Sequence, residues 1–234
     1  MNLKFTFANH DNLRGTHALF SPSQSSWLNY DEEKIASRVF NQYRNSLGTE
    51  IHEYASMKID QNHKITNTKS LVDGVEEYIY TKYKFLSNDL NVSSYGMKLI
   101  KNVRLLPKEV FEAVRFYIND GVGYKMTTEQ PLVYSERIYG TTDAISFREN
   151  FLRIHDLKTG DKPAHIEQLY IYAALFCLEY GKTYGFKPRD LSYECRIYQW
   201  DGVTIENPTP DIIDSIIEQI ILTEKVAYGI EKED

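Results

Sequence analysis

Residues 143–160 read Asp-Ala-Ile-Ser-Phe-Arg-Glu-Asn-Phe-Leu-Arg-Ile-His-Asp-Leu-Lys-Thr-Gly. Apolar and polar residues alternate on either side of Arg148-Glu149-Asn150. Ala144-Ile145-Ser146-Phe147 and Phe151-Leu152-Arg153-Ile154 therefore read as strands of a hairpin, with those three residues as the turn. Side chains alternate faces along a strand, so Asp156 and Lys158 share one face while His155 and Leu157 share the other. Hairpin pairing brings Asp143 next to Asp156. Two adjacent carboxylates repel unless a cation lies between them, and hard oxygen ligands suit Mg2+ or Mn2+. Lys158 is placed to orient a metal-bound water and to offset charge on a phosphorane-like transition state. His155, on the other face, reads as structural.

Outward from this hairpin, the N-terminal half reads as helices. Asp31 caps a helix carrying Ile35, Val39, Phe40 and Tyr43; Leu47-Gly48 interrupts it, and Thr49 caps a second with Ile51, His52, Tyr54, Ala55 and Ile59. A third spans about Leu71 to Phe85, and Pro107 opens a fourth ending at Asp120-Gly121. Leu132-Val133-Tyr134 reads as a strand. Pro163 leads into an apolar helix from His165 to Tyr180 closed by Gly181, a strand covers about Leu191 to Gln199, and Pro208-Thr209-Pro210 starts an Ile-rich last helix. The order is α-rich, then β-β-β-α-β-α, an α+β or mixed α/β domain with one helix crossing over the sheet. It is read as one domain: 1–122 mostly helical, 123–207 the sheet and crossover helix, 208–234 the C-terminal helix.

The composition bounds what this domain can be. The chain has 234 residues, 42% hydrophobic and 26% charged, which excludes disordered and collagen-like classes. Its two cysteines, Cys177 and Cys195, exclude a disulfide framework, a cysteine zinc site and a four-cysteine iron–sulfur cluster within the chain. The longest apolar run, Leu169 to Leu178, falls well short of the roughly 20 residues of a membrane span. Met1 to Phe20 is broken by Asn9, His10, Asp11 and Asn12 and does not read as a signal peptide, so the expected location is the cytoplasm. The net charge of −6 restricts nucleic-acid contacts to a local basic track, with modest, salt-sensitive affinity.

Four clusters at element boundaries carry the candidate chemistry: Gly48-x-x-x-His52, Gly140-x-x-Asp143, Asp156-x-Lys158 and Gln168-x-x-x-Tyr172. Gln168 and Tyr172, four apart on a helix, share a face. In this order, and with the wording Asp-Leu-Lys-Thr-Gly at 156–160, the set resembles the RecB-like branch of the PD-(D/E)XK nuclease superfamily over about His52 to Tyr180. The stretch Ser21-Pro22-Ser23-Gln24-Ser25-Ser26-Trp27 also resembles the start of phage-type members. The resemblance implies a restriction-endonuclease-like core, a central mixed sheet flanked by helices, and Mg2+- or Mn2+-dependent hydrolysis of DNA phosphodiesters. By that resemblance His52, Asp143, Asp156 and the backbone carbonyl of Leu157 are metal ligands. Lys158 positions the attacking water, and Gln168 and Tyr172 hold the site and the DNA backbone. Helicase motifs are absent and no iron–sulfur cluster is expected, so the freestanding phage recombination exonucleases are the nearer comparison. A structure-specific or nicking endonuclease, and a catalytically inert DNA-binding protein on the same fold, are the alternatives. The expected partners are a DNA duplex end or single strand, with a single-strand annealing or binding protein.

Outside these motifs, Glu129 precedes the first strand and is a further candidate ligand. Glu50 and Glu53 read as solvated helix residues. Lys98, Lys101, Arg104 and Lys108 recur at helical spacing as a candidate DNA face, which is also the pattern of a plain solvated face. Trp27, Tyr30 and Tyr95 are candidates for stacking on an end base; with 18 Tyr, 11 Phe and 2 Trp, most aromatics are packing material. The last helix reads as packing, including at the interface of a homo-oligomer.

Overall fold

The structure is a computed structural model and describes residues 18–85, 90–160 and 164–231. The readings made on Met1 to Phe20 for residues 1–17, and on Pro163, lie outside them. The chain divides into two compact units, Met1–Asn45 and Ser46–Asp234. In the first, a 3-10 segment Pro22–Asn29 leads toward helix α1 (Glu32–Asp60). Here Trp27 Nε1 donates to the Ser21 carbonyl (2.9 Å) and its ring meets Phe20 edge-on. Asp31 caps α1 as read, accepting from the Lys34 backbone N–H at 2.8 Å.

α1 corrects the sequence reading at Leu47-Gly48, because it runs through that dipeptide as one helix. Glycine costs a helix interior about 1 kcal/mol relative to alanine, but it does not break one. Its use here is close approach: a Cβ on Gly48 would lie 2.8 Å from Thr159 Oγ1. Helix α2 (Thr68–Phe85) is capped by Asn67, whose Oδ1 accepts from the Ser70 N–H at 2.9 Å. Helix α3 (Leu90–Val103) precedes α4 (Lys108–Gly123), which Pro107 opens from its N-cap position. Glu50 is another correction. It is buried, held by Lys82 Nζ (2.9 Å) and the Tyr83 hydroxyl (2.9 Å), so α1 and α2 share an internal ion pair. Lys82 also pairs with Glu53.

The second unit holds one five-stranded mixed sheet in the order β1 (Thr127–Val133), β2 (Tyr139–Arg148), β3 (Phe151–Leu157), β4 (Ser192–Gln199), β5 (Gly202–Glu206). All pairs are antiparallel except β3–β4, joined in parallel by the crossover helix α5 (Glu167–Tyr184). The β2–β3 turn is tighter than read: Arg148 pairs with Phe151, leaving Glu149 and Asn150 as a two-residue turn, both with positive φ (51° and 59°) as a type I′ hairpin requires. Helix α5 runs past Gly181 and stops at Gly185 (φ 74°), a second correction of a glycine read as a stop. Strand β5 is absent from the sequence reading altogether. Helix α6 (Pro210–Glu231) closes the chain.

Helices cover both faces. On one, Leu132, Ile145, Leu152, Ile154, Cys195 and Ile197 pack beneath α5 and α6 as the main apolar core, where both cysteines are buried and free. On the other, α4 packs on β3, β4 and β5, with Tyr117 edge-on to Tyr198 (5.5 Å). No helix among the described residues is long and apolar enough to cross a membrane.

A polar network is folded into this second face. Arg196 donates from Nη1 to Asp120 (2.9 Å), from Nη2 to the Tyr124 hydroxyl (2.9 Å) and from Nε to Glu194 (3.0 Å). The Tyr198 hydroxyl donates to Asp120 (2.7 Å) and lies 3.2 Å from Nδ1 of the fully buried His155. His155 thus faces away from Asp156 in a structural role. His155 across from it, together with the Arg196 and Arg153 guanidiniums, holds the Glu194 carboxyl down to about 2, against its burial. A carboxyl depressed on folding stabilises the protein above its ordinary pKa and loses that contribution as pH falls through the folded value. Urea midpoints should therefore fall as pH drops from about 4.5 toward 2. Glu194→Gln should be less stable at neutral pH and flatten that acid limb; an unchanged limb would remove Glu194 as its source.

Candidate active site

The hairpin register puts the two acidic motif residues opposite each other, one step beyond the Ala144↔His155 pair. Asp143 Oδ2 accepts from the Leu157 backbone N–H at 2.9 Å, and His52 Nδ1 approaches the same oxygen at 3.5 Å from α1. The imidazole reaches this point because Gly48, one turn earlier on α1, packs against Thr159 of the loop after β3. Lys158 Nζ donates to Asp156 Oδ1 (2.9 Å) and stands 2.8 Å from Oδ2. That second approach is an ion-pair contact without hydrogen-bond alignment, so Oδ2 stays buried with no hydrogen-bond partner. The Lys158 backbone N–H is fixed on the Tyr198 carbonyl (2.8 Å), which extends the β3–β4 ladder to the lysine.

The electrostatics follow from this crowding. Burial pushes the Asp143 carboxyl above the usual range, with the negative Glu129 adding to it and Leu157 and Lys158 opposing. Burial and then Asp143 push Asp156 up, against Lys158. Burial, helped by Lys158, drives the His52 imidazole below the usual histidine range, against Asp156, Glu129 and the Leu157 backbone. The site is thus a pair of largely buried acids that repel each other, beside an imidazole whose charged form burial disfavours.

Among the described residues, no group of three or more His, Cys, Asp and Glu side chains is drawn together tightly enough to hold a metal ion. The candidates are linked pairwise, His52 to Asp143 and Asp156 to Lys158. The donor set nevertheless fits a hard or borderline divalent ion. Asp156 Oδ2 is an orphaned buried acceptor, Asp143 and Asp156 repel across the hairpin, and a cation would satisfy both conditions.

Glu129 belongs with this group. It sits in β1 between the pairs Thr128↔Ala144 and Gln130↔Thr142, opposite Asp143, with φ at 49°. Ser56 on α1 donates to it at 3.3 Å. Gln168 Nε2 donates to the Tyr172 hydroxyl at 3.3 Å, uniting the last motif on one face of α5. A Cβ on Gly140 would stand 2.8 Å from Tyr172 Cε1, so that glycine lets the ring lie against β2.

The proposed DNA face is not brought together as one set. Lys98 and Lys101 are exposed on α3, but Arg104 lies in the turn after it and grips Glu76 through two bonds (2.6 and 2.8 Å). Lys108 pairs with Glu112. Trp27 belongs to the other unit, its indole N–H occupied by Ser21, and the Tyr95 hydroxyl donates to Ser46 (2.6 Å).

No family model matches the chain, and no curated protein matches it.

Proposed function

We propose that the protein is a divalent-metal-dependent deoxyribonuclease on a restriction-endonuclease-like core, acting as an exonuclease in DNA recombination, repair or replication. The observation that supports this reading best is one constellation. Asp143 and Asp156 face each other across a hairpin, His52 joins Asp143 from α1, and Lys158 stands beside Asp156, whose buried Oδ2 has no hydrogen-bond partner. His52, Asp143, Asp156 and the Leu157 carbonyl would hold Mg2+ or Mn2+, which would supply Lewis-acid polarisation of a phosphoryl oxygen and a water acidic enough to attack near neutral pH. An imidazole among the donors favours Mn2+ at least as strongly as Mg2+. Lys158, partly open to solvent, orients the water and offsets charge developing on the phosphate. Gln168 and Tyr172 hold the strand from α5.

End-labelled linear duplex, circular duplex and single strands, each incubated with Mg2+ or Mn2+, test the reading. Progressive loss of linear substrate with intact circles is expected. Equal cutting of circles and linear DNA would make the protein an endonuclease, and no cleavage of any substrate would remove the catalytic reading altogether.

A further inference from the structure

The two edges of the sheet meet solvent differently. β1, at one edge, is closed to a further strand in three ways. Pro131 has no N–H to give, Glu129 leaves the extended conformation (φ 49°), and the Val133 N–H donates to Glu179 Oε2 of α5 at 2.7 Å. β5, at the other edge, has none of these devices. It contains no proline, lysine or arginine, and all five of its residues are exposed. Among the described residues, no backbone group outside β4 bonds to Val203, Thr204 or Ile205. Val203 and Ile205 lie opposite Tyr198 and Arg196, which places both apolar side chains on the α4 side of the sheet, 38% and 49% exposed. The strand's one charge, Glu206, stands at its end and accepts from the Tyr170 hydroxyl. Free backbone groups beside apolar side chains, with no charge to repel a neighbour, make this edge a template for another strand.

We propose that β5 pairs antiparallel with β5 of a second copy of this chain, across a two-fold axis at Thr204, joining the two sheets into one. The strand's own pattern selects that occupant. Centred on Thr204, an antiparallel pair sets Val203 of each copy against Ile205 of the other, Thr204 against Thr204, and Gly202 against Glu206. The four apolar side chains then form one cluster on the α4 side, and two hydroxyls meet on the opposite side. No like charges face each other, because each Glu206 stands opposite a glycine. Such a contact is self-complementary, and it stops at two copies because the β1 edge is closed. A pair of five-residue strands is short for an interface, so the dissociation constant should be on the order of 10 µM. β4 separates β5 from the strand that carries Asp156, and the pairing does not depend on nuclease activity.

Sedimentation equilibrium of the full-length protein, from about 1 to about 200 µM, tests the pairing around that constant. Two double variants at these exposed positions fix the register, with circular dichroism to check the fold. Val203→Lys/Ile205→Lys puts lysine against lysine at both crossings and should weaken the dimer about a hundredfold. Val203→Glu/Ile205→Lys puts glutamate against lysine at both and should stay within about tenfold of the wild type. Thr204→Cys should cross-link the dimer on mild oxidation, because opposed Cα atoms lie about 4.5–5.5 Å apart, within disulfide range. The native Cys177 and Cys195 are buried and do not compete. A monomer at every concentration, equal dissociation in the two double variants, or no cross-link through Thr204→Cys would each overturn the proposal. A monomer whose β5 amides all resist hydrogen exchange would also overturn it, by showing that the chain covers this edge itself.

Discussion

Asp156→Asn should lower metal-dependent DNA cleavage by at least about a thousandfold while leaving the metal-free protein as stable as the wild type or more so. The two effects have one origin. Asp156 is buried, its Oδ2 accepts no hydrogen bond, and Asp143 faces it across the hairpin. The charge is a burden to the fold alone, and asparagine keeps the shape while removing it. Lys158, about a third exposed, returns to water when its partner is neutralised. A divalent ion reverses the balance. At 100-fold excess over its Kd it would stabilise the native state by about 2.7 kcal/mol, or roughly 5–10 °C for a chain of this size. Differential scanning fluorimetry with Mn2+ should show that rise in the wild type and none in Asp156→Asn. Full activity in the variant, or equal Mn2+ shifts in both proteins, would remove Asp156 from the metal site.

Arg196→Met should cost about 3 kcal/mol and lower the melting temperature by roughly 6–12 °C, without any direct part in the chemistry. Arg196 neutralises Asp120 and Glu194 together, bonds the Tyr124 hydroxyl and stacks over its ring at 5.1 Å. Its loss leaves Asp120 without a guanidinium and Glu194 with Arg153 as its remaining arginine, and Asp120 also anchors Tyr198. Methionine fills most of the space, so the penalty is electrostatic rather than a cavity. Adding Glu194→Gln and Asp120→Asn should therefore recover part of the stability. A triple variant no more stable than Arg196→Met would show that packing, not charge, carries the interaction.

What the sequence discloses about this molecule follows the range of the interactions involved. The β2–β3 hairpin is legible because its signals are local: alternation with period two, then Glu149-Asn150 where positive φ is needed. Its register places Asp143 opposite Asp156 without further information. Gly48 and Gly181 mislead because a helix break and a close approach ask for the same residue. One meets Thr159 and the other the Phe186 carbonyl, contacts made with distant or later chain. Glu50 reads as solvated because its partners, Lys82 and Tyr83, lie a helix away. The Lys98–Lys101–Arg104 spacing is real, but the helix ends at Val103 and Glu76 captures the arginine. β5 has five exposed residues and no buried side to announce it, although Asp201-Gly202 before Val203 carries a hairpin-turn signal. Glu129's place beside the acids rests on a backbone with φ of 49°, which no residue type at that position predicts.

The strand that carries Asp156 is the third of five, hydrogen-bonded to a neighbour on each side. Its backbone opens only when the sheet opens, so Asp156 is not exposed by a local opening that spares the sheet. Heat or mutation that weakens this protein should consequently reduce the number of competent molecules rather than the competence of each one. Temperature and destabilising variants will both act on activity through a single variable, the folded fraction, until a change touches the acids, the imidazole or the lysine themselves.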